Sequence, residues 1–265
     1  MADTQPRRFG PFALIAVLFA GAGALGGWWY ESRKDAGEPG ADAQLEASLA
    51  SAGINGKERA AIEGLVRSYI LEHPEVLPEA MERLQQRESE ARIAPLRGAL
   101  ETPFPGAVLG NPNGKVTLVE FTDFACTYCR QSVKALEGLI AKNPDLKVVI
   151  RELPIIAPES APAARMALAA AAQGKYPAYH TAMFTGARPS DQSITAAATA
   201  AGMDLAAAST FVARSDVEDE LKRNLDLARQ LGVNGTPAWV IGEKLVHGAV
   251  PPEELQAAID QARKG

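Results

Sequence analysis

The hydrophobic positions change rhythm several times along this chain, and each rhythm predicts a different element. Val116 to Phe121 is β-branched and apolar apart from Glu120, the pattern of a strand covered on both faces. From Arg130 the apolar residues Val133, Leu136 and Ile140 recur at three- and four-residue steps, so a short loop leads from that strand into a helix. Leu146 to Leu153 reads as the next strand. The stretch from about 157 to 232 is helical in pattern, with Gly174 and Gly202 placed as C-terminal stops and Ser215 with Glu218 spaced as a capping box. Val217, Leu221, Leu225, Ala228 and Leu231 form the core face of its last helix. The alanine runs at 169–172 and 196–198 are strong helix formers. Pro237 then opens an apolar run, as befits a residue confined to strand starts and edges. A hairpin-like stretch, Lys244 to Gly248, and an amphipathic helix after Pro251-Pro252 carrying Leu255, Ala258, Ile259 and Ala262 close the chain.

The first hundred residues follow other rules. Phe12 to Tyr30 is 19 residues without a charge, a helix of about 28 Å against a hydrocarbon core of roughly 30 Å. Trp28, Trp29 and Tyr30 sit where an aromatic belt would, so an uncleaved anchor is favoured over a signal peptide cleaved near Ala20-Gly21-Ala22 or Ala22-Gly23-Ala24. Either way Arg7 and Arg8 stay inside and the remainder is exported. Asp35 to Asp42 is a linker by composition. In the next segment Asn55 and Glu58 are spaced as a capping box, and Ile62, Leu65, Val66, Tyr69 and Ile70 make a helical stripe. Pro74 ends that helix, and Pro78 suits the first turn of one carrying Met81, Leu84 and Ala91. So small a stripe makes no core alone; it must pack on the rest of the chain or on a second copy. Pro95 to Gly106 reads as a second linker, and Leu109 to Lys115 as turn chemistry.

Composition mostly excludes. A net charge of −5 and a pI near 5.4 argue against nucleic acid, which needs a basic stripe, and no glycine-rich loop implies a nucleotide. Cys126 and Cys129 are the only cysteines. Random placement would put two cysteines three apart roughly once in a hundred and thirty chains, so the spacing is not accident. A structural staple closing so small a loop gives only about 2 kcal/mol. Zinc needs about four ligands, and His73, His180 and His247 are scattered; His180 reads as a half-buried helical residue and His247 likewise as no ligand. A redox-active dithiol remains, with Cys126 near a helix N-terminus where amide N–H groups and the helix dipole lower a thiol's pKa.

Cys126-Thr127-Tyr128-Cys129 after a strand, together with Thr236-Pro237 before another, resembles the thioredoxin superfamily, and the long helical stretch between them resembles DsbA-like thiol–disulfide oxidoreductases. The resemblance implies an α/β thioredoxin fold with an inserted helical domain over 101–265. It implies a cis bond before Pro237, Thr236 and Pro237 docking substrate beside Thr127 and Tyr128, and Glu120 as a buried acid with a raised pKa serving Cys129. Cys126 would be the exposed attacking thiol. Thr127-Tyr128 departs from the Pro-His of the strongest oxidants. The stretch from Tyr69 to Ala80 resembles the N-terminal region of the suppressor of copper sensitivity C group, implying that 35–100 is a linker and oligomerisation module. The expected protein is then a periplasmic oligomer, a trimer favoured, joined through 41–95 and held at the inner membrane by 12–30. It would isomerise disulfides in exported proteins and be recharged by a membrane redox partner. A soluble form after signal cleavage, a monomeric oxidase and a Cu(I)-handling protein are the alternatives. No cofactor or resident metal is expected, the five dispersed methionines building no thioether site for Cu(I).

Overall fold

Seven residues from Val116 to Thr122 form the strand that the β-branched run predicts, and every other element of the catalytic part is placed relative to it. The computed structural model describes Leu45 and residues 48 to 264. The export segment read at 12–30 and the linker at 35–42 lie outside the described residues. Among the described residues no helix is long and apolar enough to cross a membrane. The chain divides into two compact units between Leu77 and Pro78.

In the second unit the strands are β1 (Val108–Gly110), β2 (Val116–Thr122), β3 (Leu146–Glu152), β4 (Ala238–Ile241) and β5 (Lys244–His247), in the order β1-β3-β2-β4-β5. β2 is central, parallel to β3 and antiparallel to β4. Leu118, Val148, Ile150, Trp239 and Ile241 face one layer of helices; Val119, Phe121, Val149, Ala238 and Val240 face the other. Period two sends alternate side chains to opposite layers, which is why the strands read as unbroken apolar runs. The inserted helices are four shorter segments and one long one, spanning Ser160–Ala172, Tyr176–Thr185, Asp191–Ala200, Leu205–Phe211 and Ser215–Leu231. Gly174 and Gly202 both take positive φ, as expected of C-terminal stops.

Local expectations fail where side chains find distant partners. Ser215 and Glu218 form no capping box: the N-cap position falls on Arg214 without a side-chain bond, and Glu218 pairs with Arg165 at 2.9 Å instead. Pro95 to Gly106 is not a plain linker. It carries a 3₁₀ turn at Ala94–Leu96 and a helix at Arg97–Glu101, because Leu100 within that helix is fully buried with Ile93 under the sheet. β1 lies in what reads as turn chemistry; three residues are too few to show a period.

Buried Arg151 on β3 fastens the long inserted helix. Its guanidinium donates to Glu220 Oε1 at 2.7 Å, to Asn224 Oδ1 at 3.2 Å and to the Leu100 carbonyl at 3.0 Å, and also reaches the carbonyls of Ala99 and Thr102.

In the first unit, helix Gly56–Glu72 begins with the predicted box. The Asn55 side chain accepts from the amides of Lys57 and Glu58, and Glu58 Oε2 accepts from the Asn55 amide at 2.8 Å. None of its residues is buried; Ile62, Leu65, Val66 and Tyr69 are exposed, Leu65 by 70%. The next helix, Val76–Ile93, also shows Leu77, Met81 and Leu84 to solvent. Ile62, Leu65, Val66 and Tyr69, exposed along the single helix Gly56–Glu72, exceed the singly scattered large apolar residues of an ordinary surface.

Candidate active site

The loop that follows β2 is shaped by Asp123. One carboxylate oxygen accepts from the Ala125 amide at 2.8 Å, and the other from the amides of Ile155 and Ile156, each at 2.9 Å, tying this loop to the one after β3. The Cys126 amide donates to the Asp123 carbonyl at 2.9 Å. This seats Cys126 as N-cap of the helix Thr127–Lys142, with extended backbone (φ −76, ψ 120). Its sulfur fills the acceptor role that a serine or aspartate oxygen usually takes there: it accepts from the Cys129 amide at 3.2 Å. Nothing local in the sequence singles out Asp123, because two of its three amide partners lie more than thirty residues away.

The Thr236–Pro237 peptide is cis, and the Thr236 carbonyl stands 3.2 Å from Cys126 Sγ, whose thiol donates to it across 110 residues of sequence. The bend is held from behind, since the Gly248 amide donates to the Pro237 carbonyl and the Trp239 indole N–H donates to the Gly248 carbonyl. Two distant pieces of sequence thus meet at one sulfur.

The two thiols are driven apart in acidity. Cys126 is lowered to about 6, first by the hydrogen bond from the Cys129 thiol, against the opposing effect of burial, and then by the Thr236 side chain and the amides of Cys129 and Tyr128. Cys129 is pushed strongly upward by burial, then by donating to Cys126 and by the charge of Glu120. Glu120 is itself 3% exposed and raised to about 8; burial dominates, the Thr122 hydroxyl pulls partly back, and the Cys126 charge adds. A low-pKa thiol, a high-pKa thiol and an acid poised near neutrality therefore lie within electrostatic reach of one another. This is the apportioning that thiol–disulfide exchange requires.

Two expectations need correction. Cys126 is not an exposed thiol: the residue is 4% exposed and Cys129 fully buried. The N-cap position draws its sulfur inward onto an amide, and the Thr236 carbonyl closes over it, while Thr127 and Tyr128 beside it are exposed, Tyr128 by 62%. His180 is not half-buried but 2% exposed. Its helix, Tyr176–Thr185, turns it into the core, where Phe124, Tyr176 and Phe184 surround it with ring centroids 6.1, 6.0 and 4.8 Å away. Burial holds its pKa down to about 4, so it is neutral at physiological pH. His247, by contrast, is exposed on β5.

The acidity of Cys126 makes a direct prediction. The thiolate is the reactive form, so iodoacetamide alkylation of Cys126 in the reduced protein should rise with a midpoint near pH 6 and level off well below pH 8. A midpoint above about 8, that of an ordinary cysteine, would remove the N-cap sulfur from the mechanism.

Comparison with known proteins agrees with this fold. A family profile described as the DSBA-like thioredoxin domain matches residues 117–260, and one described as the copper resistance protein ScsC N-terminal domain matches residues 58–91. Among solved structures, a thioredoxin-like oxidoreductase from Silicibacter pomeroyi is 38% identical, covering 64% of this chain and 98% of its own at a TM-score of 0.61. ScsC from Proteus mirabilis in a transitional conformation is 28% identical over 80% of this chain and 100% of its own, with a TM-score of 0.61. A periplasmic thioredoxin-like protein from Salmonella enterica serovar Typhimurium is 33% identical over 64% and 97%, with a TM-score of 0.59. Curated relatives include the Na+/H+ antiporter NhaA 3 of Salinispora tropica, 30% identical over 160 residues. The chain spans about a quarter of the length of the curated relatives it matches.

Proposed function

We propose that this chain, which belongs to the DSBA-like thioredoxin family, is a thiol–disulfide oxidoreductase that isomerises disulfides of exported proteins in the periplasm, as an oligomer. The observation that carries the exchange chemistry is the Cys126 sulfur, seated on the Cys129 amide and facing the cis Thr236–Pro237 bend with its pKa depressed. Cys126 thiolate attacks a substrate disulfide sulfur; one substrate sulfur leaves as thiolate and the other is held in a mixed disulfide. Thr236 and Pro237 present backbone to the extended substrate, and Thr127 and Tyr128 contact it at the rim. Cys129, giving its proton to Glu120, then attacks Cys126 and frees the substrate, or a second substrate thiolate does so and the pairing is shuffled.

The isomerase reading is supported by the exposed stripe Ile62, Leu65, Val66 and Tyr69 and by the match of 58–91 to an ScsC N-terminal domain. Copies joined through this module, trimers in the favoured arrangement, would set several dithiols around one unfolded client. Residues 12–30 would carry the chain to the periplasm and hold it at the inner membrane, where a membrane redox partner keeps the dithiol reduced. The test is scrambled-ribonuclease reactivation set beside oxidation of reduced ribonuclease, with mass by light scattering. Leu65→Glu with Val66→Glu is expected to shift the mass to that of a monomer and to lower reactivation roughly tenfold, with insulin reduction retained. A monomeric unaltered protein, or full reactivation by the monomeric variant, would favour the oxidase reading. A Cu(I)-handling role is the second reading, favoured by the copper-resistance description of the matched module. Stoichiometric Cu(I) binding by the reduced protein without exchange activity would support it.

A further inference from the structure

Among the described residues, the buried side-chain atoms without a hydrogen-bond partner are Glu120 Oε2, Thr122 Oγ1, Glu152 Oε2, His180 Nε2 and Thr236 Oγ1. Folded proteins leave few such atoms, so a group of them asks for a physical reason. Three form a row on a single face of the sheet. Glu120 and Thr122 are two apart on β2 and point the same way. Glu152 on β3 stands opposite Thr122 in the parallel register. Glu120, Thr122 and Glu152 are 3%, 0% and 1% exposed. The far end of the row is anchored, because the Tyr176 hydroxyl donates to Glu152 Oε1 at 2.6 Å. The near end is Glu120, whose charge interacts with both Cys126 and Cys129.

We propose that Glu120 and Glu152 hold one proton between them, handed across the Thr122 hydroxyl, and that this pair takes up the proton Cys129 releases when it resolves the mixed disulfide. The inference rests on the proton-transfer role of Glu120 given above and extends it to two residues. The proton leaves Cys129 Sγ for the pair, whose charge passes from minus one to zero. The resulting thiolate attacks the Cys126 sulfur, the Cys126–Cys129 bond forms, and the substrate sulfur departs as a thiolate that solvent protonates. In reverse, Cys129 leaves as a thiolate and the pair returns the proton. Thr122 and Glu152 act through Glu120 and are positioning residues.

Electrostatics suits a shared proton. Two carboxyls sealed from water in one pocket do not both ionise cheaply. Burial holds Glu152 well above the ordinary carboxylate range, opposed by the Tyr176 hydrogen bond and reinforced by Asp123 and Glu120. The Asp123 carboxylate is taken up by three backbone amides. The phenols of Tyr176 and Tyr179 are held protonated by burial and His180 is held neutral. Arg151, next to Glu152 on β3, turns to the opposite face and bonds Glu220. The Thr122 hydroxyl pulls the Glu120 pKa down and stands across the register from Glu152; the proposed transfer requires it to turn to each carboxyl in succession.

The test isolates the resolving step in the full chain. A mixed disulfide of Cys126 with thionitrobenzoate is prepared, and release of the chromophore as Cys129 closes the disulfide is followed from pH 5 to 10. Thr122→Val and Glu152→Gln are each expected to slow release by about tenfold below pH 7. The deficit should close toward the top of the range, where hydroxide takes the Cys129 proton, while the midpoint of Cys126 alkylation stays in place. Glu120→Gln should slow release further. Slow release in Glu120→Gln with unaltered pH profiles in both other variants would overturn the shared proton and leave Glu120 acting alone. A wild-type profile in Glu120→Gln would overturn that role as well. Should Glu152→Gln not fold, infrared difference spectra of the unaltered protein on dithiol oxidation decide: two carboxyl bands responding together support the pair, and one band overturns it.

Discussion

Replacing Cys126 with serine is expected to lower disulfide exchange by roughly a thousand-fold or more, while the protein remains folded. The substitution keeps the N-cap, because a serine oxygen accepts from the amide at 129 at least as well as sulfur does. What it removes is the nucleophile, for an alcohol has no counterpart to the depressed acidity that places a thiolate there near neutral pH. Cys129→Ser should behave in the opposite sense: Cys126 still attacks, nothing intramolecular resolves the product, and mixed disulfides with client proteins accumulate on non-reducing gels. Insulin reduction at the wild-type rate by the Cys126 variant would dismantle the assignment of roles. So would accumulation of adducts by the Cys126 variant instead of the Cys129 variant.

Arg151→Leu is expected to cost about 3–5 kcal/mol of folding stability and to lower the melting temperature by about 10 °C. Arg151 is 1% exposed and Glu220 2% exposed, so removing the guanidinium strands a buried carboxylate together with the Asn224 side chain and the carbonyls near Leu100. Arg223, itself mostly in solvent, reaches the other Glu220 oxygen and offsets only part of the loss. Changing Arg151 and Glu220 together to Met and Leu should recover a substantial fraction, because a buried pair is less costly to replace than to break. A single variant melting within a degree of the unaltered protein would show that the inserted helices are held by their apolar contacts alone.

These two residues illustrate how unevenly sequence reveals a site. Cys126 and Cys129 announce themselves by spacing, and Pro237 by opening a strand in which proline does not belong. Glu120 is conspicuous as the lone charge in an apolar strand. Arg151 and Glu152 stand at the end of a strand where charged residues are ordinary, and no local pattern separates a buried pair from a solvated one. Tyr176 and Glu152 are 24 residues apart, and Asp123 bonds amides more than thirty residues away. Neither link leaves a periodic trace. The same limit explains the capping box expected at Ser215: the spacing was right, but Arg165 offered Glu218 a partner from another helix.

What the sequence alone determined is what depends on near neighbours: the strand at 116–122, the helices and their glycine stops, the box at Asn55, and a dithiol at a helix start. The tertiary structure decided how deep each group lies and which groups meet. It sank Cys126 to 4% exposure where an open thiol was expected, and drew His180 wholly into the core. It also set Glu152 across from Thr122 in the sheet. Burial and proximity are sums over segments far apart in the chain, and in a low-dielectric interior those sums set which carboxyl keeps its proton and which sulfur gives one up.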